Sequence, residues 1–91
     1  MATKEEKRTG TRSFVRPDAK KKLVLFNDEV NTFDFVIETL IEVCGHHPYQ
    51  AENCALIAHY KGKCTVKEGA YETLKPYREE MTLRRLTVEI Q

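Results

Sequence analysis

The feature that most constrains the fold is a segment between residues 33 and 44 whose apolar side chains recur with the period of a helix. The spacing i, i+3, i+4, i+7 of a single helix face is followed by Phe33, Val36, Ile37, Leu40, Ile41 and Cys44. Asn31 or Thr32 can cap the start of this helix, and Gly45 is well placed to end it. Because the apolar face must be buried against another element, the chain needs a second layer of structure.

Three short segments have the residue patterns of β-strands. Residues 23–26 are continuously apolar, and the turn-forming pair at 27–28 follows them. Residues 63–67 alternate in polarity, and residues 68–69 then turn the chain. Between residues 86 and 90 apolar and polar side chains alternate strictly, which predicts a strand with one buried and one solvent-exposed face.

Two further helices are expected between these strands. Pro48 suits the first position of the second helix, whose small-residue face lies within residues 51–58, and Gly62 ends it. The third helix is predicted over residues 71–81, where Pro76 interrupts the pattern. With Thr73 as N-cap, Pro76 would fall where its missing N–H is tolerated; the alternative is a kinked or two-piece helix.

The order of elements is therefore β-α-α-β-α-β, and the predicted fold class is α+β. A three-stranded antiparallel sheet packs on three helices over residues 22–91. Residues 1–21 are polar, contain Gly10 and Pro17, and lack any sustained period, which predicts a flexible, disordered N-terminal extension. Ninety-one residues allow one domain and a single modest core.

Composition argues against several classes of function. Fifteen basic and fourteen acidic residues leave a net charge of +1, so no global field favours nucleic-acid binding. No apolar run approaches the roughly 20 residues of a membrane span, and no secretory signal is visible, so a cytoplasmic protein is expected. The three cysteines lack the spacing of a zinc motif or a disulfide framework, so no metal and no cofactor are predicted.

Two polar stretches stand out as a candidate site. Asn27, Asp28 and Glu29 follow the first strand where the chain turns toward a helix, and their oxygens could hold a cation. His59 lies near the end of the second helix. Each has a structural explanation as well, since Asn and Asp build turns and a histidine favours a helix C-terminus.

The two stretches together resemble the ClpS adaptor family. The first signature is Leu-Val-Leu-Phe-Asn-Asp-Glu over residues 23–29, followed by Phe-Val at 35–36; the second is Ala-His-Tyr-Lys-Gly-Lys over residues 58–63. They stand in the order and at the spacing of that family, and the resemblance covers about residues 22–91. It implies a non-enzymatic adaptor of AAA+ Clp unfoldase–protease machines, which binds the unfoldase N-terminal domain.

The same resemblance implies that the chain binds N-degron proteins, whose first residue is bulky and apolar. Asn27, Asp28 and His59 would then hold the free α-amino group of the substrate. The pocket for its side chain would be formed by Asn31, Phe33, Val36, Ala55, Ala58 and Leu86. Well-known family members often carry threonine at the position of Asn31 and methionine at the positions of Phe33 and Ala55, which leaves the preferred first residue open.

Two other classes of function remain as alternatives. An enzyme could use Cys44 or Cys54 with His59 and Asp28, but the sequence has no nucleophile elbow, oxyanion loop or phosphate-binding glycine run. A general protein-interaction module is the stronger alternative, because the fold also resembles the C-terminal domain of the ribosomal stalk protein. Such a module would show no preference for a free amino terminus.

Overall fold

The computed structural model describes residues 19–91 and contains the predicted elements in the predicted order. These are β1 (Lys21–Phe26), α1 (Phe33–Cys44), α2 (Pro48–Lys61), β2 (Lys63–Gly69), α3 (Tyr71–Leu83) and β3 (Val88–Ile90). The α+β prediction, with a three-stranded antiparallel sheet and three helices, is confirmed. Most of the predicted flexible extension, residues 1–18, lies outside the described residues, so the domain division at residue 22 stays a prediction.

Strand β1 is the centre of the sheet, whose order is β2-β1-β3. Its pairing with β2 runs from Lys21 opposite Gly69 to Phe26 opposite Lys63, with a register shift between Leu23 and Val24. On the other side, Leu23 pairs with Ile90. The centre of the sheet thus ends at Phe26, directly before the first polar stretch of the candidate site.

The ends of α1 and α2 are set by local capping. Thr32 is the N-cap of α1, and its Oγ1 accepts the Phe35 N–H at 3.1 Å. Pro48 is the first residue of α2, as predicted, behind His47 as N-cap. Gly45 (φ 70°) and Gly62 (φ 94°) end the two helices in the left-handed conformation that glycine adopts most easily.

Two boundaries differ from the sequence prediction. Strand β2 continues to Gly69 instead of turning after Lys67, because its last residues pair with the start of β1. Helix α3 begins at Tyr71, as predicted, but it ends at Leu83 instead of Met81, and its N-cap is Ala70, which provides no side-chain cap, so the alternative with Thr73 as N-cap is wrong. Pro76 therefore lies inside a continuous helix, where its missing N–H removes the backbone bond to the Glu72 carbonyl.

The core lies between the sheet and the three helices. Its largest fully buried side chains come from β1, α1 and α3, and they are Leu23, Leu25, Leu40, Leu74 and Met81. The small residues of α2 complete it and include Ala51, Cys54 and Ala58, which lets the helix approach closely. Within residues 19–91, no helix is long and apolar enough to cross a membrane.

Candidate functional site

A cavity of about 640 Å³ lies where the end of β1, the start of α1 and the C-terminal half of α2 meet. Its size is within the usual range for small-ligand sites. It is lined by Leu25, Phe26, Asn27, Asp28, Glu29, Asn31, Phe33, Val36, Ala55, Leu56, Ala58, His59 and Tyr60. The structure therefore brings all the sequence-predicted site residues except Leu86 to one cavity.

One backbone hydrogen bond explains why the two polar stretches meet. The Asn27 N–H, just after β1, donates to the carbonyl of Gly62 at 2.9 Å. Gly62 is the C-cap of α2, so this bond places the end of β1 beside the end of the helix that carries His59. The negative end of the α2 dipole lies at the same place and favours a bound cation.

The Asp28 carboxylate organises the loop between β1 and α1. Its Oδ1 accepts the N–H groups of Val30 and Asn31 at 2.9 Å each, and its Oδ2 accepts the Asn31 Nδ2 at 3.0 Å. Partial burial acts to raise the pKa of Asp28, but the bonds from Asn31 and Val30 outweigh it and lower the pKa below its ordinary value. The carboxylate is thus held ionised at the cavity, with further lone pairs for a ligand.

Asn31 connects this loop to a distant part of the chain. Besides its bond to Asp28, its Nδ2 donates to the backbone carbonyl of Arg85 at 2.9 Å. Arg85 has a positive φ of 70° and lies between α3 and β3. The amide of Asn31 therefore fixes the rim of the cavity from two sides, whereas the resemblance had suggested it only as part of the side-chain pocket.

The apolar part of the cavity is formed by small and large side chains of two helices. Ala55 and Ala58 on α2 are each 4% exposed, so a ligand would contact a surface without long side chains there. Phe33 and Val36 come from α1, and Phe33 is 39% exposed. An aliphatic or aromatic group fits these surroundings, because the lining offers apolar contacts on both sides.

Leu86 has a different environment from the other predicted pocket residues. It is 4% exposed, belongs to the main core cluster, and is not among the residues that line the cavity. Conversely, Leu56 and Tyr60 line the cavity but were absent from the predicted set. Their spacing of four residues along α2 puts them on one helix face next to Ala55, a signal available in the sequence.

Two side chains predicted to bind the ligand, those of Asn27 and His59, line the cavity and have no hydrogen-bond partner among residues 19–91. Within that range, no hydrogen bond engages the side-chain amide of Asn27 or the imidazole of His59, and both residues are exposed. His59 contacts Tyr60 edge to face, with ring centroids 4.9 Å apart. The part of the chain that the structure describes contains no group of three His, Cys, Asp or Glu residues able to hold a metal.

This arrangement agrees with comparison to known families. The family described as "ATP-dependent Clp protease adaptor protein ClpS" matches residues 16–87. The chain belongs to the ClpS family. Comparison with curated protein sequences gave no significant match, whereas eighteen chains of solved structures match.

One of these structures is ClpS2 of Agrobacterium tumefaciens, bound to L-phenylalaninamide. It superposes with a TM-score of 0.75 and 21% identity over 84% of this chain and 98% of the ClpS2 chain. At that identity the similarity shows a common fold. The ClpS family is a family of protease adaptors. The roles of the individual cavity residues and the expected absence of catalysis stay predictions.

Proposed function

We propose that this ClpS-family chain binds the free α-amino group and bulky apolar first residue of N-degron proteins and delivers them to an AAA+ Clp unfoldase–protease. The observation that carries the proposal is the single cavity in which Asn27, Asp28 and His59 lie beside an apolar wall. ClpS2, which shares the fold, is bound to L-phenylalaninamide, a molecule with a free α-amino group and a benzyl side chain. This supports the same ligand class here.

The polar residues suit an α-ammonium group in number and kind. The ammonium has three N–H donors, and an amide oxygen, a carboxylate and a neutral imidazole nitrogen supply three acceptors. Hydrogen bonds to charged groups are worth roughly 1.5–3 kcal/mol each. The ionised state of Asp28, maintained by the N–H groups of Val30 and Asn31, also supplies the charge that an ammonium needs.

The apolar wall accounts for the first side chain of the substrate. Burying a Leu or Phe side chain contributes roughly 1.5–3 kcal/mol. Set against association costs of about 4–15 kcal/mol, the polar and apolar contributions give about micromolar affinity at best. An adaptor that must release its substrate to an unfoldase needs affinity of this order.

Peptide binding tests the recognition step directly. Fluorescence anisotropy would compare labelled peptides that differ only at their first residue: Leu, Phe, Tyr, Trp, Arg, Ala and N-acetylated Phe. We expect binding of one or more bulky apolar first residues, and loss of that binding on acetylation. Equal binding of the acetylated peptide, or no binding at all, would contradict the proposal and favour a general protein-interaction module.

A variant pair locates the binding in the cavity. Ala55→Phe extends a ring from the apolar wall and should weaken binding of a Phe-first peptide by more than tenfold, because the added ring occupies the space of the ligand. Glu52→Ala changes an exposed residue of the same helix outside the cavity and serves as the matched control. Equal effects of the two changes would place the binding elsewhere.

Delivery requires a separate measurement. A reporter protein with an N-terminal Phe would be degraded by a purified bacterial Clp unfoldase–protease with and without this chain. We expect faster degradation with the wild type and not with Ala55→Phe. Peptide binding without any change in degradation would keep the recognition step and contradict the adaptor step.

A further inference from the structure

Two of the three cysteines lie against each other behind the candidate site. Cys54 on α2 and Cys64 on β2 have Sγ atoms 3.1 Å apart, and both are free thiols. Cys44 is buried elsewhere, with its Sγ 3.7 Å from the Sδ of Met81. The contact therefore joins α2 to β2 through two thiols, and two thiols can be oxidised to a disulfide with the loss of two electrons.

The geometry is close to that of a covalent bond. A disulfide has sulfur atoms about 2.05 Å apart, so the two Sγ atoms need to approach by about 1 Å. The Cys64 thiol donates to the Cys54 Sγ, and both thiols also lie within 3.7 Å of the Thr65 carbonyl. The two sulfurs are therefore close enough for a small shift of the side chains to join them.

The two thiols differ in access. Cys54 is 8% exposed, whereas Cys64 is half-buried and lines a shallow groove of about 300 Å³ together with Lys22 and Lys63. Burial, followed by the hydrogen bond and charge of Cys64, raises the pKa of the Cys54 thiol to about 12. Cys64 is thus the thiol that meets a reagent first, and the two lysines favour an anionic reagent such as glutathione disulfide.

We propose that Cys54 and Cys64 form a reversible oxidation site, which closes an intramolecular disulfide on reaction with a small anionic disulfide of the glutathione type. The Cys64 thiolate attacks one glutathione sulfur, forms a mixed disulfide and releases one glutathione thiolate. Cys54 then loses its proton, attacks the Cys64 sulfur and releases the second glutathione. The two cysteines lose two electrons and two protons, which leave as two molecules of reduced glutathione.

The Cys54–Cys64 disulfide would fix the part of α2 that lines the candidate site. The closed ring spans residues 54–64 and contains Ala55, Ala58 and His59, three residues of the cavity. It also contains Gly62, whose carbonyl accepts the Asn27 N–H. Oxidation therefore joins α2 to β2 on both sides of Gly62, whose carbonyl connects the two polar stretches. The disulfide can form whether or not the cavity binds a peptide.

Peptide mapping tests the bond on the full chain. The protein would be equilibrated with glutathione disulfide, quenched with acid, alkylated with N-ethylmaleimide and digested with trypsin. Lysines at 61, 63 and 67 release residues 64–67 separately from residues 23–61, which carry both Cys44 and Cys54. We expect a disulfide between these two peptides in the wild type and in Cys44→Ala, and its loss in Cys54→Ser.

Other outcomes would overturn the proposal. These are alkylation of both Cys54 and Cys64 in the wild type, a lasting glutathione adduct on Cys64, or the same link in Cys54→Ser. A second readout needs no variant: closing a ring of this size should raise the Tm of the wild type by roughly 10–20 °C. No rise, or a fall, would show that the bond does not fit the native packing.

Discussion

Replacing Asp28 separates its part in the loop from its part in binding. Asp28→Ala removes three hydrogen bonds of 2.9–3.0 Å, from the N–H groups of Val30 and Asn31 and from the Asn31 side chain. A bond to a charged group is worth roughly 1.5–3 kcal/mol, but water replaces much of this because the groups are exposed or half-buried. We expect a loss of about 1–2 kcal/mol of unfolding free energy, or a Tm lower by roughly 4–15 °C.

Asp28→Asn keeps the oxygen that accepts the two backbone N–H groups, but it removes the charge and replaces the Oδ2 that accepts the Asn31 Nδ2 by an NH2 group. It should lose less than about 1 kcal/mol of stability. Both variants lose a charged acceptor for the α-ammonium, worth about 1.5–3 kcal/mol, which corresponds to a Kd for a Phe-first peptide that is roughly 10–150-fold higher. Anisotropy titrations would be made at a temperature where circular dichroism shows both variants folded.

Glu29→Gln is the matched control, since it removes the neighbouring exposed carboxylate at the same cavity. A Kd within twofold of the wild type in folded Asp28→Asn would refute the binding role and leave Asp28 as a loop residue. An equal loss in Glu29→Gln would show that general negative charge, and not a directed acceptor, attracts the ligand.

Two further substitutions and a change of pH test the cavity, α3 and the loop. Ala55→Met projects a long side chain into the cavity and should weaken a Trp-first peptide on the order of tenfold more than a Leu-first peptide; an unchanged ratio of Kd values would contradict this. Pro76→Ala restores the N–H that can bond the Glu72 carbonyl and should add about 1–3 kcal/mol in urea unfolding, and no gain would speak against it. Because the pKa of Asp28 is lowered in the folded state, the stability that its carboxylate contributes is present above the unfolded pKa of about 3.9 and is lost as pH falls through the folded pKa. Acid should therefore lower the unfolding free energy of the wild type more than that of Asp28→Asn. Equal dependence of the unfolding free energy on pH in the two proteins would count against the assignment.

Features that depend on local chemistry were predictable from the sequence. Gly45 and Gly62 end helices because only a residue tolerant of positive φ fits there, and Pro48 begins a helix because its nitrogen needs no partner. The start of α3 at Tyr71 was predicted, but its N-cap was not, because Ala70 offers no side-chain acceptor while Thr73 looks like one. The length of β2 likewise depends on its pairing with Lys21, which no local pattern shows.

The candidate site could be predicted as two polar stretches, but only the family resemblance joined them. Their meeting depends on the bond between the Asn27 N–H and the Gly62 carbonyl, which continues the pairing of β1 with β2 one step beyond Phe26 and Lys63. The bond between Asn31 and the Arg85 carbonyl joins residues 54 positions apart, and nothing in the spacing of the sequence indicates it. Contacts of this kind are fixed by tertiary packing rather than by propensity.

The central strand has one partner at the far end of the described chain. Leu23 pairs with Ile90, and Lys22 and Gln91 exchange both backbone hydrogen bonds, at 2.8 and 2.7 Å. A nascent chain leaving the ribosome can therefore assemble β1, α1, α2 and β2 but cannot close the sheet until residues 88–91 emerge. Since the Arg85 carbonyl also holds Asn31 at the cavity rim, the cavity reaches its final shape only after residue 85 has been made, and truncation before that residue should leave it unfinished.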